Sequence, residues 1–158
     1  MPRPPLTLTR ERLGFDVPPR AASIGRYAPF VRHKGIVAIV QGPLWGEEIR
    51  YKGRVGAELD FSLAQEAARL ACANVLVELQ AASGGDLARV ECCYRLGGFI
   101  NAAESFTRHS EVMNAASELL LKVLGERMRH SRYVVGCNSL PQGVAIELEG
   151  WFAVASLP

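Results

Sequence analysis

Alanine at helical spacing constrains this chain more than any other feature. Between Ser62 and about Ser83, residues Ala64, Ala67, Ala68, Ala71, Val75 and Leu79 fall on one face of a 3.6-residue period. Ser62 and Gln65 have capping-box spacing, so each side chain can satisfy a free N–H of the first turn. Gly84-Gly85 stops the helix. A face built from so many small side chains predicts close packing on a sheet. A second helix is expected from near Ser110 to Leu124, with Val112, Ala116, Leu119 and Val123 on one face. Ser110 reads as its cap and Gly125 as its end.

The strands interleave with these helices. Gly35 to Val40 is a continuous apolar, β-branched run, which predicts a strand buried on both faces. Ser23 to Val31 reads as a short edge strand, because Pro29 bars a central position. Glu47 to Leu59, broken by Gly53 and Gly56, reads as a loop or short hairpin. Arg89 to Ile100 reads as a strand with Val90, Cys92, Tyr94 and Leu96 on one face and a bulge at Gly97-Gly98. Arg132 to Glu149 reads as a strand, a turn and a second strand. The expected fold is α+β, a mixed sheet with two helices on one face. Residues 1–22, with five prolines, form an extended irregular arm ahead of a single domain over 23–158.

Composition narrows the function. A net charge of +2 with scattered Lys and Arg argues against nucleic acid as the main partner, since phosphate binding needs a concentrated basic surface. Lys34, Arg50, Lys52 and Arg54 read as a solvated face, with no aromatic run beside them for base stacking. The first twelve residues do not resemble a signal peptide. No apolar run approaches the ~20 residues that span a bilayer, so a cytoplasmic, membrane-free protein is expected. Cys72, Cys92, Cys93 and Cys137 contain no C-x-x-C pair and read as reduced thiols. His33, His109 and His130 are too dispersed for a metal motif, and no metal or cofactor is expected.

Chemistry concentrates in the C-terminal stretch. Arg132 opens its first strand and Glu147 sits within its second. A guanidinium grips a carboxylate through two parallel hydrogen bonds, and a Glu can accept or position a proton. The same two residues could instead form a structural ion pair. His130, two residues before Arg132, shares its face if the strand begins early enough. It reads as a surface group or as part of a cleft rim.

Several segments together resemble the Rid (YjgF-like) family. They are Ser23-Ile-Gly-Arg-Tyr27, Val40-Gln-Gly42, Ala68-x5-Asn74-x4-Leu79, Gly97-Gly-Phe-Ile-Asn101-x4-Phe106 and Arg132-x7-Leu140-Pro141-x5-Glu147-x-Glu149. Asn101, Ala116-Ser117 and Arg129-His-Ser-Arg132 resemble a longer branch of that family. The resemblance implies a chorismate mutase-like fold and a homotrimer with clefts between subunits. It also implies hydrolysis of reactive enamine or imine acids to 2-keto acids and ammonia. The family is also labelled endoribonuclease L-PSP.

Residue by residue, the resemblance makes Arg132 the carboxylate anchor and Glu147 the group that orders the attacking water. Tyr27 and Gly42 complete the ligand site, with Val134 standing where the deaminases usually carry Cys. Gln41-Gly42-Pro43 replaces the usual Ser-Gly-Gln, and Trp45 is bulky enough to reline the cleft. Non-catalytic binding of a small carboxylate metabolite is the alternative function, with RNA cleavage third.

Overall fold

Where the chain reverses at Lys34 and Gly35, both with positive φ (46° and 77°), the first β-hairpin of the fold is set. The computed structural model describes residues 3–23 and 25–157. In chain order they form α1 (Arg10–Leu13), β1 (Phe30–His33), β2 (Ile36–Gln41), β3 (Leu44–Trp45), β4 (Glu48–Ile49), α2 (Phe61–Ala82), β5 (Val90–Asn101), α3 (His109–Leu124), β6 (Ser131–Cys137) and β7 (Ile146–Val154). The architecture is the expected α+β arrangement of a mixed sheet with helices. Five strands make one mixed sheet in the order β1-β2-β7-β5-β6, beside a β3-β4 hairpin.

The first strand lies later than predicted. Phe30 to His33 pair with Ile39 to Ile36, because the turn at Lys34-Gly35 fixes the hairpin register. Pro29 precedes it. Ile24, within the predicted strand, lies outside the described residues, as do Met1 and Pro2 of the arm.

The two C-terminal strands are not neighbours. β6 runs parallel to β5, and β7 is antiparallel to both β2 and β5. α3 is the crossover that a parallel β5–β6 pair requires, which leaves β7 to enter the centre of the sheet.

Both helices cover one face. On α2, Ala64, Ala67, Ala68, Ala71, Val75 and Leu79 are all buried, as their spacing predicts. Its cap is Asp60, whose side chain accepts the Leu63 N–H at 2.9 Å, so the Ser62 box does not form. Ser110 lies inside α3, which starts after Arg108 with no side-chain cap.

The sheet's second face is open. In β2, Val37 and Ile39 are buried while Ile36 and Val40 are exposed, so the strand is covered on one face only within this chain. Val31, Phe99, Val135 and Trp151 are exposed as well. In β5, bulges occur near Val90/Cys92 and Cys93/Arg95, not at Gly97-Gly98. They place Cys93 in the core while Cys92 is half-buried and Tyr94 exposed. Gly97 and Gly98 stay in register because each admits a neighbour. A Cβ at Gly97 would meet the Tyr133 ring, and one at Gly98 would meet Met113 of α3.

The arm is not wholly irregular. It carries α1, and Leu8 and Leu13 join the core. It docks on its own chain through the Leu8 N–H to Gln80 (2.7 Å) and a bidentate Arg20–Glu78 pair.

Candidate functional site

Register decides which side chains can meet. Arg132 lies opposite Leu96, which lies opposite Gly150, and Leu96 is fully buried beneath the helices. Glu147 lies opposite Phe99, which lies opposite Val135. Partners in register share a face and successive residues alternate. Arg132 and Val134 therefore belong to the helix face, and Glu147 belongs to the open face. The structural ion pair does not exist within this chain.

Arg132 is held by α3. Its Nη1 donates to Asn114 Oδ1 at 2.9 Å and to Ser117 Oγ at 3.1 Å. Its Nη2 reaches the Ser110 carbonyl at 3.3 Å and, more weakly, Ser110 Oγ at 3.5 Å. All these acceptors are neutral. No carboxylate lies within ion-pair distance among the described residues. Partial burial pulls its pKa below the ordinary arginine value, because no acid offsets the desolvation. The guanidinium is thus aimed by hydrogen bonds and keeps its charge available for an anion.

Ser110, Asn114 and Ser117 recur at i, i+4 and i+7, a polar stripe beside the apolar face of α3. The spacing was visible in the sequence, but its connection to Arg132 was not. His130 precedes β6 and also reaches this stripe, with Nε2 2.9 Å from Ser117 Oγ. Val134 packs against the core and can offer a ligand only its backbone.

The open face carries the other residues. A groove of about 720 Å³ is lined by Tyr27, Gly42, Leu44, Pro141, Glu147 and Trp151, among others. Desolvation raises the Glu147 pKa above the ordinary carboxylate value, which suits a group that must take up and return protons. Asn74, almost fully buried in α2, donates to the Gly42 and Leu44 carbonyls at 3.0 and 2.8 Å. These bonds fix the loop at the groove's edge. Trp45 does not line the groove; it lies under the Arg50 guanidinium at 4.7 Å.

Tyr27, Gly42 and Glu147 thus share one groove, and Arg132 and Val134 lie across the sheet from it. Among the described residues no group of three His, Cys, Asp or Glu side chains could hold a metal. No described helix is long and apolar enough to cross a membrane.

A family model described as "YjgF/chorismate_mutase-like, putative endoribonuclease" matches residues 10–148. The chain belongs to this YjgF-like family. Protein TCP17 of Trypanosoma cruzi is 39% identical over 142 residues, covering 88% of each chain. Among solved structures, Atu1372 of Agrobacterium tumefaciens, described as of unknown function, is 34% identical with a TM-score of 0.85 over 92% of both chains. A protein of Shewanella oneidensis MR-1, described as a putative endoribonuclease, is 30% identical with a TM-score of 0.86 over 92% of this chain and 98% of its own. YjgF-like membership agrees with the resemblance read from the Arg132, Leu140-Pro141 and Glu147 spacing. Within this YjgF-like chain, Arg132 and Glu147 lie on opposite faces of the sheet.

Proposed function

We propose that this protein hydrolyses reactive 2-imino or 2-enamino acids to 2-keto acids and ammonia, at clefts between the subunits of a homotrimer. The observation that carries this reading is the Arg132 guanidinium, fixed by Asn114, Ser117 and Ser110 yet unpaired with any acid among the described residues. A built cation of this kind suits a carboxylate ligand. The inter-subunit arrangement is supported by the opposite facing of Arg132 and Glu147. A site using both would draw Arg132 and Val134 from one copy and Tyr27, Gly42 and Glu147 from the next. The exposed apolar residues of the open face also suit burial against another copy.

In the proposed reaction Arg132 grips the substrate carboxylate. Glu147 accepts a proton from a water as its oxygen bonds to the C=N carbon, and the imine nitrogen takes up a proton. The C–N bond of the resulting carbinolamine then breaks, ammonia leaves with a further proton, and a keto acid remains. An imine is already an electrophile, so positioning and modest general-base help suffice.

A second reading, binding of a small carboxylate metabolite without turnover, is favoured by Val134, which places an inert side chain where the deaminases usually carry a thiol. RNA cleavage has less support. Arg50 is stacked on Trp45, and Arg54 donates to the Ala102 carbonyl, so these cations do not form a free phosphate track.

The test generates 2-aminoacrylate in a coupled assay and follows ammonia and keto acid. Turnover that is lost in Arg132→Ala supports the hydrolase. Binding of a keto acid without turnover supports the second reading, and turnover unchanged in Arg132→Ala refutes the role of Arg132.

A further inference from the structure

We infer that Ser117 and His130 are positioning residues that aim Arg132 at its ligand through a directed hydrogen-bond relay. The inference rests on the reading of Arg132 as a carboxylate anchor and adds how that anchor is held. Four groups lie in a row. The Met128 carbonyl is 2.8 Å from His130 Nδ1. His130 Nε2 is 2.9 Å from Ser117 Oγ, and Ser117 Oγ is 3.1 Å from Arg132 Nη1.

The proton positions follow from chemistry. A carbonyl only accepts, so His130 Nδ1 must carry a hydrogen. The Nε2 of a neutral ring must then accept, so the Ser117 hydroxyl donates to it. That donation points the serine's lone pairs away from His130 and leaves them for the guanidinium, which can only donate. Every link has one direction, and each orients the next. The chain ends at the cation without giving it a negative charge. Arg132 is thus held in place while its charge stays free for a ligand.

The three residues come from separate elements. Ser117 lies in the third turn of α3, Arg132 lies in edge strand β6, and His130 lies in the segment before β6. Ser117 and His130 are half-buried and Arg132 is partly exposed. Without the relay, Arg132 would keep Asn114 and Ser110 but lose an oriented Ser117 contact. Its long side chain would then regain rotamer freedom that binding must remove again.

The test measures binding of 2-oxobutanoate by calorimetry at neutral pH. Ser117→Ala and His130→Ala should each raise Kd roughly fivefold, the worth of one oriented hydrogen bond. The double variant should bind no worse than either single one, because both break the same path. Ser117→Thr, which keeps the hydroxyl, should bind nearly as the unaltered protein does. Nitrogen NMR of the unaltered protein should show the His130 ring hydrogen on Nδ1 rather than on Nε2.

Wild-type affinity in both single variants, additive losses in the double variant, failure of Ser117→Thr to rescue, or an Nε2–H tautomer would each overturn the relay. Arg132→Ala separates the two levels. Binding lost there but intact in Ser117→Ala refutes only the relay, whereas binding intact in Arg132→Ala refutes the anchor and the relay with it.

Discussion

Arg132 and Glu147 project from opposite faces of one sheet, Arg132 toward α3 and Glu147 into the groove that also holds Tyr27 and Gly42. Residues that the C-terminal motif sets 15 positions apart in sequence therefore cannot serve one ligand within one chain. The proposed site follows from this separation.

The neutral cradle of Arg132 can be filled with charge. Asn114→Asp would set a carboxylate where Oδ1 now lies, 2.9 Å from Nη1. A charge-assisted hydrogen bond contributes about 1.5–3 kcal/mol, so Kd for 2-oxobutanoate should rise about ten- to a hundredfold. Calorimetry checks this, and unchanged affinity would mean that the guanidinium does not hold the ligand.

Glu147 should leave a mark on stability as well as on turnover. Its folded-state pKa is raised by burial, so the native state holds the proton more tightly than the unfolded chain does. Stability therefore falls as pH rises through the window from the unfolded to the folded pKa. Glu147→Gln should raise Tm at neutral pH, and the gain should shrink as the pH drops below that window. Thermal denaturation at pH 7 and pH 4 measures it. A gain that grows toward acid would have the wrong sign.

The arm is tied to α2 by a buried acid. The Glu78 side chain is 2% exposed and accepts from Arg20 at 2.7 Å, while Arg20 is half exposed. Removing the cation strands a charge in the core. Arg20→Ala should cost about 2 kcal/mol, less than a fully buried pair because Arg20 faces water. Glu78→Gln added to it should restore part of the loss. Urea denaturation of the single and double variants reads both.

Much of the fold was legible because its periods are strong. The alanine face of α2 and the Val112, Ala116, Leu119 and Val123 face of α3 each announce a buried side. What failed was local competition and long-range pairing. Asp60 outcompetes Ser62 as the cap. β6 and β7 read as a hairpin because neighbours in sequence usually pair, yet α3 carries the chain across to a parallel edge. The face of Arg132 was hidden for a related reason. β6 is apolar on both sides, with Val134 on one and Tyr133 and Val135 on the other, so only the register with Leu96 and Phe99 assigns it. The role of Ser117 was equally hidden, since it needs the fold to bring α3, His130 and Arg132 together.

Mixed assemblies test the central claim most directly. Arg132→Ala and Glu147→Gln subunits, co-expressed with different tags and purified as mixed trimers, are assayed for imine hydrolysis. If each site takes Arg132 from one subunit and Glu147 from its neighbour, every mixed trimer holds one intact site of three, so the purified assemblies should restore roughly a third of the unaltered turnover, although each variant alone is inactive. Mixed assemblies as inactive as the separate variants would show that both residues must come from one chain, and would contradict the account.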